Sequence, residues 1–399
     1  MPIARRPLLT ALLAAPSLVH AQAELEQSER GAFRWRNLAT ELENPWGGGF
    51  LPDGRLLLSE RPGRARLMAP DGTLSPPLGG LPEVVAEGQG GLLDLQPAPD
   101  FATTAEVFFT SATLIQAGSS GGVQAGSADG VQAGAAGGAE GGVLTRLWRA
   151  RLTPRGFEGV RGVLDAAPAQ ARGRLHYGGR LAFSPDGAHL FLTTGERNDN
   201  RERAQKLNDL AGKVIRLTRQ GEIPRDNPFS GREGARGEIF SLGHRNPQGI
   251  AFNPATGGLL VVEHGPRGGD ELNLVLPGRN FGWPDVSHGR EYSGRQIAGG
   301  RTSGPGITEP LRHWVPSVSP SGMQFAPAHA QPLWRGALYI ACLNTPGLLR
   351  LQMEGDLVVS EERLLWGRTR MRQVLFAPDG ALLVLTDESR GRVLRLDAA

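Results

Sequence analysis

One phrase of apolar and polar positions recurs along this chain: a short apolar run, a Pro-Asp-Gly-like turn, and a second apolar run. Its copies are GGGFLPDGRLLLSE, LLDLQPAPDFATTAEVFFTS, RLAFSPDGAHLFLTTG, GIAFNPATGGLLVVEHG, MQFAPAHAQPLWRGALYIAC and VLFAPDGALLVLTD, six in all. Pro, Asp and Gly between two apolar runs predict a hairpin, because Pro presets φ, Asp bonds back to nearby backbone, and Gly accepts positive φ. Each copy is followed by another strand-like run, such as RARLMA, GKVIRLT, ELNLVL or GRVLRL. The runs follow period 2, and no long 3.6-residue periodicity competes with them. A repeated hairpin-plus-strand unit predicts an all-β fold, a six-bladed β-propeller with four-stranded antiparallel blades. A segment from about Gly31 to Ala39 precedes the first copy and is expected to complete the last blade and close the ring.

Residues Gln116–Gly142, QAGSSGGVQAGSADGVQAGAAGGAEGG, break the pattern. They hold almost no large apolar side chains and cannot bury enough surface to offset the entropy of ordering. The strand pattern resumes at Val143, so the stretch reads as a flexible loop inserted between two strands of one blade. At the N-terminus, Arg5-Arg6 precede the apolar run Leu8–Val19, and Ala21-Gln22-Ala23 follows as a small-residue cleavage pattern. Residues 1–23 therefore read as a secretory signal peptide and 24–399 as a single propeller domain exported to the periplasm. The apolar run is too short to span a bilayer, so no membrane span is expected.

Composition narrows the function classes. Gly 57 and Pro 30 fit many tight turns, and 39% apolar with 21% charged residues fits a globular chain. The net charge is only +3, and no basic run is interleaved with aromatics, which argues against nucleic acid as a partner. The single cysteine, Cys342 in LYIACL, allows no intramolecular disulfide and reads as a buried small apolar residue.

Candidate chemistry concentrates between Glu238 and Asp285. There Arg245-Asn246, Gly265-Pro266 and Asp270-Glu271 flank the runs Gly249–Phe252 and Leu259–Glu263, which Pro254 and Gly257-Gly258 separate as a hairpin. Polar groups thus fall at strand ends and in the loops leaving them, where sites sit on a β scaffold. Taken singly, each pair is an ordinary turn; the whole set is harder to read that way. The phrases GHRNPQG, EHGPRGGDELN and GRNFGWP resemble the pyrroloquinoline quinone (PQQ) dependent soluble sugar dehydrogenases, the aldose sugar dehydrogenase or glucose/sorbosone dehydrogenase family. The resemblance runs from Asn44 to the last strand-like run, GRVLRL, and covers nearly all of the expected mature chain.

That resemblance implies roles for particular residues. His176 in HYGGRL matches the family's HxGGRL and would be the base that removes the proton of the sugar anomeric hydroxyl, a task suited to an imidazole near neutral pH. Gln89 in EGQGG would contact sugar or cofactor near that histidine. Arg245 and Asn246 would face the quinone carbonyls, the guanidinium stabilising negative charge as hydride arrives. Arg370 and Arg372 in RTRMRQV lie on one side of a strand by period 2 and would hold PQQ carboxylates with forked donors. Ser317 matches a cofactor-contacting hydroxyl. Asn344 stands where members commonly carry Lys or Arg, and an amide bonds a carboxylate without neutralising it. The carbonyls of Gly265 and Pro266 would hold a Ca²⁺ that also binds PQQ and polarises its C5 carbonyl. A second, structural Ca²⁺ is implied at Glu271 and the carbonyl of Phe281. Leu175 replaces the polar residue that often precedes the histidine.

The expectation is therefore an exported enzyme that oxidises aldose sugars to lactones with PQQ and Ca²⁺, passes electrons to an external acceptor, and works as a monomer or homodimer. Two alternatives stand beside it: a Ca²⁺-dependent propeller lactonase or other hydrolase, and a non-catalytic propeller that binds sugar or protein. His244, His264 and His288 are the rival bases.

Overall fold

A computed structural model describes residues 23–117 and 141–399. Residues 1–22 of the expected signal peptide and 118–140 of the expected loop lie outside the described residues. The rest forms six antiparallel sheets in sequence order, arranged as the blades of a propeller. Blade 1 spans Pro45–Met68, blade 2 Leu92–Asp165, blade 3 Leu181–Leu242, blade 4 Pro247–Trp314 and blade 5 Pro320–Leu364. Blade 6 joins Met371–Phe376, Leu382–Thr386 and Gly391–Ala398 to two N-terminal strands, Gly31–Leu42 and Glu24–Ser28. The expected closure is observed: Trp35 pairs with Leu396 and Phe33 with Ala398.

Blades 2 to 5 have four strands, whereas blade 1 has three and blade 6 has five. The fourth position of blade 1 is occupied by Ser75–Leu78. Ser75 N–H bonds the Leu67 carbonyl at 2.8 Å and Leu78 N–H the Ala65 carbonyl at 2.8 Å. Pro76 and Pro77 between them carry no N–H, so a regular ladder cannot form.

The repeated turn works as its residues require. In blade 1, Asp53 Oδ1 accepts the Arg55 N–H at 3.0 Å, and in blade 3 Asp186 Oδ1 accepts the Ala188 N–H at 3.0 Å. Gly54 in the first of these turns has φ 85°, which a side chain would strain.

The middle strands depart from simple alternation. Leu56–Glu60, Leu259–Glu263, Ala337–Cys342 and Leu382–Thr386 are buried along their whole length, on both faces. Each lies between the faces of two neighbouring blades, so both sides meet apolar surface. The outermost strand Leu357–Leu364 is only partly buried, with a single fully buried residue, Leu364. An apolar cluster fills each gap between adjacent blades. Between blades 3 and 4, for example, Phe191, Val214 and Phe240 meet Ile250 and Val261. Each fully buried Leu or Phe contributes about 1.5–3 kcal/mol relative to exposure, so the ring is held by many such contacts. Cys342 is buried in the cluster between blades 4 and 5, as expected, and burial pushes its thiol well up. No helix among the described residues is long and apolar enough to cross a membrane.

Blade 2 pairs without interruption from Glu106↔Arg151 to Ile115↔Gly142. The two strands flanking residues 118–140 are therefore direct neighbours, as an insertion within one blade requires.

Candidate active site

The innermost strand of each blade starts near the propeller axis, and loops from all six blades converge at one mouth. There they enclose a cavity of about 370 Å³, lined among others by Trp46, Gln89, Asn246, Gln248, Arg370 and Arg372. Arg61, His264, Ser319, Leu343 and Asp387 complete much of the wall. Three guanidiniums thus face one carboxylate, which makes the cavity suited to an anion.

His176 sits just behind this wall, beside the lining residues Tyr177 and Gly178. It precedes the first strand of blade 3 in a left-handed conformation, φ 51°, an uncommon state for a non-glycine residue. Two glycines allow the close approach: a Cβ on Gly195 would lie 2.2 Å from the His176 carbonyl oxygen, and one on Gly178 2.7 Å from that of Thr193. The His176 N–H donates to Gln89 Oε1 at 2.9 Å, so Gln89 fixes the backbone that carries the histidine. His176 Nδ1 lies 2.8 Å from Glu196 Oε2. Burial raises the Glu196 carboxyl, but the bond and charge of His176 outweigh it and hold the net value low. The carboxylate can only accept, so Nδ1 carries the proton and Nε2 keeps its lone pair. Burial lowers the His176 pKa, with Glu196 pulling it back up and Arg245 lowering it further. The imidazole is neutral at pH 7 and poised as a base.

The rival histidines are engaged differently. His264 lines the cavity but donates Nε2–H to the Pro320 carbonyl at 2.9 Å, and burial, then Arg245 and Arg372, push it down to about 3. His244 has both ring nitrogens occupied, by Ser241 Oγ and Glu263 Oε1, each at 2.8 Å, and stacks on Phe281. His288 stacks on His313 at 4.0 Å.

Arg245 donates Nη1 to the carbonyls of His264 and Gly265, both at 2.9 Å, and lies over Trp283. Its Nε is buried without a partner. Asn246 Oδ1 accepts from Gly178 N–H and Gln248 Nε2, which links blades 3 and 4 at the wall. Arg370 and Arg372 both reach Asp387 Oδ2, at 2.9 and 3.0 Å. They are not successive same-side residues of a regular strand: Arg370 precedes the strand, and the register shifts between Met371 and Gln373. Arg370 is half exposed and Arg372 almost buried, with its Nε unpartnered. Burial would raise Asp387, but Arg372 and Arg370 outweigh it and hold it down at about 2.

Ser317 and Asn344 stand outside the lining. Ser317 Oγ donates to Asp270 Oδ2 at 2.7 Å, and Asn344 is exposed and donates to the Ser317 carbonyl at 3.3 Å. Their neighbours Ser319 and Leu343 line the cavity instead. Asp270 in turn accepts the Gly265 N–H at 2.8 Å and so anchors the Gly265-Pro266 turn.

Behind that turn lies a very small cavity, about 10 Å³, bordered by Glu263, Gly265, Glu271, Phe281 and Trp283. This is the space of about one water-sized probe. Asn273 Nδ2 donates to both Glu263 and Glu271, and its own Oδ1 is buried without a partner. Burial, then the charge of Glu263, pushes Glu271 well above the usual carboxylate range. Among the described residues no cluster of three or more His, Cys, Asp or Glu side chains could hold a metal, so any cation here would rely on carbonyl oxygens as well.

Glu196, Gln248, Asp387, Trp46 and Arg61 were not singled out from the sequence. Glu196 follows the second strand of blade 3, His189–Thr194, in TTGERN, and only the approach of that strand's end to the His176 turn marks it. Gln248 is within GHRNPQG, and a polar residue opening an innermost strand was the available signal.

Comparison with known proteins agrees with this arrangement. Residues 42–395 match the family described as glucose/sorbosone dehydrogenase. The chain is 39% identical to the aldose sugar dehydrogenase YliI of Escherichia coli (strain K12), over 98% of this chain and 95% of that protein. It resembles the crystal structure of the soluble aldose sugar dehydrogenase of Escherichia coli in the apo-form, with a TM-score of 0.82, 38% identity, and coverage of 92% of this chain and 100% of the other. The PQQ-bound form of an aldose sugar dehydrogenase from Streptomyces coelicolor gives a TM-score of 0.71 at 27% identity, covering 94% of this chain and 98% of the other. With the family pattern spanning almost the whole propeller and its motifs gathered at one mouth, the chain belongs to the glucose/sorbosone dehydrogenase family of enzymes.

Proposed function

We propose that this enzyme oxidises the C1 hydroxyl of aldose sugars to the lactone, using PQQ and Ca²⁺ and passing the electrons to an external acceptor. The observation that carries this reading is an arginine-rich cavity wall beside a neutral histidine whose proton is held on Nδ1. A ligand with several carboxylates suits that wall. Arg61, Arg370 and Arg372 line it against Asp387 alone among the described residues, and the buried Nε of Arg372 has no partner. Forked guanidinium donors match carboxylate geometry. For Ca²⁺, Gly265 and Pro266 would offer carbonyl oxygens, while Glu271 and the carbonyl of Phe281 would hold a second ion. A hard cation there would relieve the repulsion between Glu263 and Glu271.

When bound, PQQ supplies the two-electron acceptor for the hydride leaving C1. His176 takes the hydroxyl proton at Nε2, because Nδ1 is committed to Glu196. The imidazolium so formed faces the Glu196 carboxylate, which stabilises it. Gln89 holds the His176 backbone and would bond the sugar. Arg245, which borders the small cavity behind the Gly265-Pro266 turn, would supply positive charge from behind the wall as negative charge develops. With that proton held at His176 Nε2 and the hydride taken up by a bound cofactor, the sugar would be left as the lactone. Lactone hydrolysis would leave the Arg370/Arg372 pair without a role.

The test is reconstitution of the purified protein with PQQ and Ca²⁺, followed by dye reduction across a panel of aldoses. Reduction that needs both additions is the expected result. Lactone hydrolysis without dye reduction would overturn the proposal.

A further inference from the structure

We infer that Arg180 is a positioning residue for this cavity: it closes the central channel beneath it and holds from below the backbone of three residues that wall it. The inference rests on the reading that the cavity takes PQQ. A second cavity, about 560 Å³, opens at the other mouth of the channel, with Asp94, Gln96, Arg180, Met323, Gln324 and Gln373 among its lining. The Arg180 guanidinium stands between the two. Its Nε donates to the Gln248 carbonyl at 2.7 Å, Nη1 to that of Trp46 at 3.2 Å, and Nη2 to that of Arg372 at 2.9 Å. Trp46, Gln248 and Arg372 all line the upper cavity. Asp94 Oδ1 lies 3.8 Å from Nη1, and the Trp46 ring 3.9 Å from the guanidinium carbon.

Every blade meets at this side chain. Arg180 leads into blade 3; Trp46, Asp94, Gln248 and Arg372 come from blades 1, 2, 4 and 6. Blade 5 contributes Gly322, where a Cβ would fall 2.9 Å from Nη2 and 1.5 Å from Gln373 Oε1. Gly47 clears the opposite side, since a Cβ there would lie 2.3 Å from Asp94 Oδ1 and 3.2 Å from Nη1. The absence of side chains at both positions gives the fork its room. Above it the walls are tied directly as well: Arg372 Nη1 bonds Gln248 Oε1 at 3.1 Å. A planar fork carries its donors on three separate nitrogens and so spans carbonyls from three different blades, whereas the three N–H of an ammonium leave one atom. Arg180 therefore sets the separation of Trp46, Gln248 and Arg372, and so the width of the cavity floor.

The experiment is a PQQ titration with Ca²⁺ on the wild type, Arg180→Lys, Arg372→Ala and the double variant, with the melting temperature of each cofactor-free protein. Arg180→Lys keeps the charge opposite Asp94 but loses the fork. It should weaken PQQ binding about tenfold or more alone, and less than about threefold when Arg372 is already Ala, because neighbours that act through one another are not additive. Unchanged affinity in Arg180→Lys, or the same factor on both backgrounds, overturns the inference. If Arg180→Lys does not fold, Arg180→Gln, which also removes the fork, is judged by the same comparison. A crystal structure of the cofactor-free variant reads the claim without PQQ. The Gln248–Arg372 bond should open and the two cavities join, and an unchanged wall refutes the role even if the wild type binds no PQQ.

Discussion

Replacing Glu196 with Gln tests how His176 is made a base. In the structure both groups that meet Glu196 Oε2 are donors: His176 Nδ1–H at 2.8 Å, and the Asn198 N–H. Glu196 Oε1 is buried with no partner. The side-chain amide in Glu196→Gln will therefore put its oxygen at the Oε2 position, keep both bonds and preserve the histidine tautomer. What is lost is the negative charge. A hydrogen bond to a charged group contributes about 1.5–3 kcal/mol against about 0.5–1.5 for a neutral one. The difference, about 1–1.5 kcal/mol, lowers the rate of sugar-driven cofactor reduction roughly 5- to 15-fold. His176→Gln, which removes the base itself, should cost about 10²–10⁴-fold. The pH profile carries the sign. Glu196 pulls the His176 pKa up against burial, so without its charge His176 protonates only at lower pH, and the acid limb moves to lower pH while the plateau falls. Stopped-flow reduction of the reconstituted enzyme between pH 4 and 9 reads both. An acid limb that stays or moves upward, or a near-normal rate in His176→Gln, refutes the reasoning.

Arg372→Ala should weaken PQQ binding by about 1.5–3 kcal/mol, the range for bonds to charged groups, and Arg370→Ala by less because its guanidinium is half exposed. Fluorescence titration measures both, and two wild-type affinities would remove these arginines from the cofactor site. Saturating Ca²⁺ should raise the melting temperature of the cofactor-free protein, since a ligand at 100 times its Kd adds about 2.7 kcal/mol. In Glu271→Gln the part due to the inner site should vanish, and an equal Ca²⁺ response in both proteins would place the ion elsewhere. Asp387, held at about 2 against an ordinary 3.8, contributes stability that is present above pH 4 and lost as pH falls through 2. That contribution is about 2 kcal/mol. Acid titrations of urea stability for wild type and Asp387→Asn should therefore converge near pH 2, and a gap that persists there would show that the pair's charge is not what stabilises this corner.

The sequence alone determined the kind of fold and the chemistry on offer. Hairpin turns such as LPDGR are local: Asp53 and Gly54 act on atoms a few residues away, so the six repeats and their ring closure near Gly31 could be read directly. Residue types at strand ends, His176, Arg245-Asn246 and Gly265-Pro266 among them, also announced themselves as motifs. Tertiary structure decided which of them meet. Gln248 and Arg372 are 124 residues apart yet bonded, and His176 finds its carboxylate only because Gly195 lets the end of the strand His189–Thr194 approach. Ser317 and Asn344, read as wall residues, turn instead to the Asp270 corner, while Ser319 and Leu343 face the cavity. Arg180 carries no local mark beyond its place in HYGGRL. Its meaning comes from closing a ring of blades, which brings residues from the whole chain to one axis where each side chain takes the direction that packing leaves it.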